Sequence, residues 1–142
     1  MVDIPTLDIE DYDPDLNEEQ ETVEDKSGGA LTYAIVGAGQ GGGRMAKAFY
    51  DMGYTKTIAV NTARSDLNGL DIPDEQKFLV DEHGEQGAGK DQAKAEAAIE
   101  RKEQEVFNKF REIFGSNVDR IIICLGVSGG SGGGTVNTLI KV

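Results

Sequence analysis

Two glycine-rich stretches hold the residues best suited to chemistry. The first reads Gly37-Ala38-Gly39-Gln40-Gly41-Gly42-Gly43-Arg44, with five glycines among the seven positions up to Gly43. Glycine has no Cβ, so main-chain amides can approach an anion closely and the backbone can take positive φ. A helix starting after such a turn adds unpaired N–H groups and the positive end of its dipole. The second stretch is Gly126-Val127-Ser128-Gly129-Gly130-Ser131-Gly132-Gly133-Gly134-Thr135, in which Ser131 supplies a hydroxyl donor. Two nests of amides suit a ligand whose negative charge is spread over several phosphates.

The first stretch also satisfies Gly-x-Gly-x-x-Gly through Gly37, Gly39 and Gly42, so an NAD(P)-binding oxidoreductase fold is a rival reading. That fingerprint uses an acid after the second strand to hold ribose hydroxyls. Asn61-Thr62-Ala63-Arg64 stands there instead, although Arg64 could meet a 2′-phosphate. A second nest of this length has no common use in a dinucleotide site, which favours a nucleoside triphosphate. Gly84 to Asp91 nearly fits a P-loop, but Asp91 replaces the hydroxyl that such a loop places on magnesium. Lys90 there either reaches a phosphate or is an ordinary surface lysine. His83 is the one histidine and lacks further ligands at metal spacing, so no protein-held metal site is predicted. Cys124, the one cysteine, sits in the apolar run Ile121 to Leu125 and reads as a buried core thiol.

These turns need strands to carry them and helices to follow them. Thr32 to Val36 is an almost wholly apolar strand, and Arg44 to Met52 predicts a helix with Met45, Ala48, Phe49 and Met52 on its buried face. Thr57 to Val60 and Phe78 to Val80 read as two further strands, with a polar loop over 81–90. Asp91 caps a long helix running to Phe114, with Ile99, Val106, Phe107, Phe110, Ile113 and Phe114 as its apolar stripe. Arg120 to Leu125 is a buried strand, and a last helix begins at Thr135. The order β-α-β-β-α-β-α predicts an α/β fold: a Rossmann-like, mainly parallel sheet with flanking helices. Ligands on such sheets bind beyond the carboxyl ends of the strands, where both glycine stretches would lie.

The chain has 142 residues, room for one domain at most. Residues 1–30 hold eleven acids against Lys26 alone, so ten of the twelve net negative charges lie there. Pro5 and Pro14 break helices, and large apolar residues are sparse, so this arm is predicted to be disordered on its own. Ile4, Leu7, Ile9, Tyr12 and Leu16 are spaced through the acids and could order on a protein partner. The nearly neutral remainder offers no basic patch for nucleic acid. No apolar run has membrane-spanning length, the acidic start argues against a secretory leader, and a lone cysteine suits a reducing cytoplasm.

Four segments, in order over residues 31–142, resemble the tubulin/FtsZ family. Gly129-Gly130-Ser131-Gly132-Gly133-Gly134 is similar to the tubulin signature Gly-Gly-Gly-Thr-Gly-[Ser/Thr]-Gly. Ala38-Gly39-Gln40-Gly41-Gly42 resembles the family's first nucleotide loop, Ala59-Val60-Asn61-Thr62 the end of its second strand, and Gly87-Ala88-Gly89 its third loop, which faces the γ-phosphate. Arg44 and Ala63 depart from the FtsZ asparagine and aspartate at those places. The resemblance implies the first part of a GTPase domain over 31–142. It would bind GTP or GDP with magnesium held through the phosphates, and assemble head to tail into filaments in the cytoplasm of a prokaryotic or phage-infected cell. Phosphate contacts would come from Gly39, Gln40, Gly41, Gly42, Gly43, Arg44, Gly87, Ala88, Gly89, Gly126, Gly129, Gly130, Ser131, Gly132 and Gly133, with Asn61 and Thr62 lining the pocket. The family's guanine-reading helix and water-activating acidic loop are not among these residues. The complete fold is therefore expected to continue beyond Val142, or the chain to be a non-catalytic, structural relative.

Overall fold

The computed structural model describes residues 29–81 and 91–142. Most of the acidic arm, and His83, Gly87, Ala88, Gly89 and Lys90, lie outside the described residues.

The elements are β1 (Tyr33–Ala38), α1 (Gly39–Asp51), β2 (Thr57–Asn61), α2 (Arg64–Asn68), a 3-10 turn (Asp74–Gln76), β3 (Lys77–Leu79), α3 (Gln92–Arg101), α4 (Glu103–Phe114), β4 (Arg120–Leu125) and α5 (Gly130–Lys141). All four strands run parallel in the order β3-β2-β1-β4, the predicted architecture. Val36 and Ala34 of β1, with Ile58 and Val60 of β2, face a core completed by Ile99, Val106, Phe110 and Leu139 of the helices α3, α4 and α5. The opposite face packs Ile35 and Cys124 under Ala46 of α1. Helices thus cover both faces, which explains why β1 and β2 are apolar without alternation.

Helix α1 departs from its predicted face. Met45 and Met52 are half exposed and Ala48 is exposed; the buried positions are Gly39, Gly42, Gly43 and Ala46. The reason is proximity. A Cβ on Gly42 would overlap the Cys124 carbonyl oxygen, so the helix lies too close to the sheet for large side chains at the contact. Phe49 reaches the margin of that contact and packs edge-on against Tyr54, with ring centroids 5.7 Å apart.

The single long helix expected from Asp91 to Phe114 is two. Lys102 leaves helical geometry with φ −110° and ψ 13°, and the apolar stripe rotates there, leaving Phe107 37% exposed. Asp91 caps α3 as predicted, its Oδ1 accepting from Lys94 N–H at 3.3 Å. Strand β4 is less buried than its composition implies: among the described residues it has one neighbour, β1, and Ile121 is 51% exposed. Helix α2 and the 3-10 turn have no apolar repeat and were not anticipated.

Lys56, just before β2, donates from Nζ to the carbonyl of Phe114 at 2.7 Å and so closes the C-terminus of α4. A cation at helix-end carbonyls is stabilising through hydrogen bonding and the helix dipole. Lys56→Met is expected to lower stability by about 1.5–3 kcal/mol, the range for a hydrogen bond to a charged group, in urea unfolding. An unchanged midpoint would show the bond to be incidental.

Candidate functional site: two uncapped helix starts at one sheet corner

The register places the site. Gly37 pairs with Cys124 and Ala38 with Leu125, so β1 and β4 finish side by side. Ala38 also pairs with Val60, which puts Asn61 and Thr62 at the same rim. Helix α1 starts at once from its strand end and α5 after a four-residue turn, 126–129, both earlier than the predicted Arg44 and Thr135. Gly39, Gly41, Gly42 and Gly43, and Gly130, Gly132, Gly133 and Gly134, therefore belong to the first helical turns rather than to free loops, while Gly126 and Gly129 remain in the turn before α5.

Those two starts lack the usual compensation. Neither Ala38 before α1 nor Gly129 before α5 caps with a side chain, and neither first turn carries an acid. By contrast α3 has its Asp91 cap, and α4 has Glu103 and Glu105 in its first turn. Each uncompensated start presents unpaired N–H groups and about half a positive charge. The two meet directly. Gly39 takes φ +73°, and a Cβ there would lie 2.9 Å from the nitrogen of Gly132. A Cβ on Gly132 would lie 3.1 Å from the carbonyl oxygen of Ala38.

The individual residues divide by role. On the α1 side Gln40 and Gly41 are exposed, and nothing stands within 4 Å of a Cβ on Gly41. Gly42 is turned to the sheet, and Gly43 faces Leu70. Arg44 lies outside the turn, in a cleft of about 380 Å³ shared with Gln40, Lys47, Ser65 and Asp66. On the α5 side Gly126 is exposed and its carbonyl accepts from Gly129 N–H at 3.1 Å. Gly133 N–H donates to the Gly129 carbonyl at 3.0 Å. Those two amides are therefore spent, and the amides of Gly130, Ser131 and Gly132 precede the first helical bond.

The strand end adds hydroxyls and an amide. The Thr62 and Ser131 hydroxyls share a hydrogen bond at 2.5 Å, joining the end of β2 to the start of α5. Asn61 is buried, accepting from Ala63 N–H at 3.1 Å and donating to Asp66 at 3.2 Å. Asp66 also receives Gln40 Nε2 at 3.4 Å. The sequence reading missed Asp66, which folds back to the rim only because α2 forms. It also missed Gln92, whose Nε2 donates to the Val127 carbonyl at 3.0 Å. Neither carries a motif that could have revealed it. A wider cleft of about 520 Å³ lies elsewhere, by Glu100, Glu103, Phe107 and Lys141, and has no converging helix starts.

Burial pushes the Cys124 thiol above its ordinary pKa. A raised value keeps it protonated, so the folded protein is expected to react with a disulfide reagent at pH 8 far more slowly than the urea-unfolded chain. Equal rates would contradict the burial.

Residues 32–142 match the family model described as Tubulin/FtsZ family, GTPase domain. The chain belongs to the tubulin/FtsZ family. The match also decides between the two readings of the first glycine stretch, against a dinucleotide fold. Tubulin-like protein CetZ1 of Haloferax volcanii is 30% identical over 121 residues, covering 78% of this chain and 31% of the relative. CetZ5 of the same archaeon is 32% identical over 115 residues, covering 74% and 29%. The chain therefore spans about a third of the length of these relatives. Among solved structures, the GDP-bound CetZ1 monomer superposes with TM-score 0.69 at 31% identity, covering 77% of this chain and 36% of that one. A GTPγS-bound CetZ2 protofilament from the same archaeon gives 0.67 at 28% identity, covering 77% and 34%. A GTPγS-form protofilament of TubZ from Bacillus thuringiensis serovar israelensis gives 0.61 at 26% identity, covering 84% and 34%.

Proposed function

We propose that this chain supplies the phosphate-binding part of a GTP site in a filament-forming tubulin/FtsZ-like GTPase. The observation that carries the reading is the meeting of two uncapped, acid-free helix starts, Gly39 against Gly132, at one corner of the parallel sheet. Amides of Gly39, Gln40 and Gly41 on one side, and of Gly130, Ser131 and Gly132 on the other, would donate to phosphate oxygens. The Ser131 and Thr62 hydroxyls, bonded to each other at the same rim, would add donors there, with Asn61 lining the pocket. Gly42, Gly43, Gly126, Gly129 and Gly133 would shape the turns. Arg44 would lie beside them, and Gly87, Ala88 and Gly89 would face the terminal phosphate.

Magnesium would enter on the phosphates and neutralise their charge. Phosphoryl transfer asks chiefly for positioning and charge neutralisation, which such a cradle provides. The acid that activates water would come from a loop outside these 142 residues, presented by a neighbouring subunit. The GDP- and GTPγS-bound relatives support the choice of nucleotide, and their protofilaments support head-to-tail assembly. No described helix is long and apolar enough to cross a membrane, and the proposed setting is the cytoplasm of a prokaryotic or phage-infected cell.

Calorimetric titration of the chain with Mg-GTP, GDP, guanosine and NADH tests the reading. Binding of GTP and GDP with no measurable heat for guanosine or NADH is expected. Binding of NADH, or of guanosine as strongly as GTP, would overturn it.

A further inference from the structure

We propose that Gln92 is a positioning residue for the second glycine turn, holding the start of α5 in the conformation that presents the Gly130, Ser131 and Gly132 amides. The inference rests on the reading of that turn as a phosphate site.

The turn has little to hold it. Val127 is 79% exposed, and a Cβ on Gly126 would meet nothing within 4 Å. Six of the nine residues from Gly126 to Gly134 are glycine, so the segment has many competing conformations. Inside it, Gly129 N–H donates to the Gly126 carbonyl and Gly133 N–H to the Gly129 carbonyl. Among the described residues two side-chain hydrogen bonds tie it to other elements: the Thr62 hydroxyl meets Ser131 within the first turn of α5, and Gln92 Nε2 donates to the Val127 carbonyl at 3.0 Å, the one of the two that holds the turn ahead of the helix.

Gln92 is itself well anchored. It opens α3 directly after the Asp91 cap. A Cβ on Gly134 would overlap the Gln92 carbonyl and press on Ala95, so α3 and α5 are in backbone contact at this level. A Cβ on Gly133 would overlap the Gln92 carboxamide, so the missing side chain at 133 is what lets the glutamine lie across the first turn of α5. Gln92 is neutral, so it acts by ordering the turn rather than by attracting the ligand. When the competent conformation is one of many, apparent affinity falls by its fractional population.

Gln92→Met keeps the length of the side chain and removes its donor. In the nucleotide-free chain, the Gly129 and Gly133 amides are expected to exchange with deuterium about fivefold faster, because the turn opens more often. Mg-GTP affinity is expected to fall about three- to tenfold, the equivalent of one net hydrogen bond. The fall should be the same at low and high salt, the melting temperature should drop by no more than about 5 °C, and exchange in the rest of α3 and α5 should keep its unaltered rate. Gly133→Ala should weaken binding in the native background and much less in Gln92→Ala, where no carboxamide remains to displace. Wild-type exchange and affinity in Gln92→Met would overturn the proposal. So would a fall in melting temperature with faster exchange throughout α3 and α5, which would mark Gln92 as merely structural. If the unaltered chain binds no Mg-GTP, the GTP reading fails, and the exchange rates still decide whether Gln92 orders the turn.

Discussion

Gly39→Ala is expected to weaken Mg-GTP binding about 30-fold or more while leaving the chain folded. Gly39 sits at φ +73°, where an L residue costs about 1–2 kcal/mol. Its Cβ would also meet the Gly132 nitrogen at 2.9 Å, and backbone cannot rotate away as a side chain can. Crowding of this kind adds about 1 kcal/mol or more, and tenfold in affinity corresponds to about 1.4 kcal/mol. The first turn of α1, exposed at Gln40 and Gly41, can relieve the strain at buried Gly39 by drifting from α5, so the loss falls on the convergence of the two helix starts. Gly69→Ala is the control: Gly69 closes α2 at φ −76°, a Cβ there would meet nothing nearer than 3.5 Å, and binding should stay within about twofold of the unaltered chain. Normal binding by Gly39→Ala, or equal damage from Gly69→Ala, would contradict the assignment.

Gly42→Ala should behave in the opposite way, as a folding defect. The added methyl would overlap the carbonyl of Cys124 in the middle of the contact between α1 and the sheet. Main chain bounds the space, so α1 must lift, pulling its own Ala46 away from Ile35 and Cys124 beneath it. Overpacking at a backbone contact costs about 3 kcal/mol, a large share of the stability of a small domain. A fall of that size in urea unfolding is the expected result. A chain of normal stability that had lost GTP affinity would make Gly42 a phosphate residue and refute the packing role.

These two glycines, three residues apart, also mark how far the sequence could be read. Glycine clustering after apolar strands located the site, because the need for close backbone approach leaves an overt compositional trace. The division of labour inside the cluster was not legible. Gly42 serves helix-on-sheet packing, and the Gly129 and Gly133 amides are consumed by local bonds. The parallel pairing of the strands followed from alternation of elements and apolar runs; their order across the sheet was not read from the sequence. The buried face of α1 did not, because periodicity weights large residues such as Met45 and Met52, whereas the contact selects the smallest. Likewise, nothing local distinguishes Lys102 as the break between α3 and α4. Asp66 and Gln92 escaped notice because their relevance comes from tertiary folding of ordinary polar residues.

The central claim is that both helix starts grip one polyanion. Titrating isotopically labelled chain with Mg-GTP, and following backbone amide shifts, tests it most directly. Gly39, Gln40 and Gly41 should shift together with Gly130, Ser131 and Gly132, all with one dissociation constant. Shifts confined to one set, or two sets saturating at different concentrations, would contradict it.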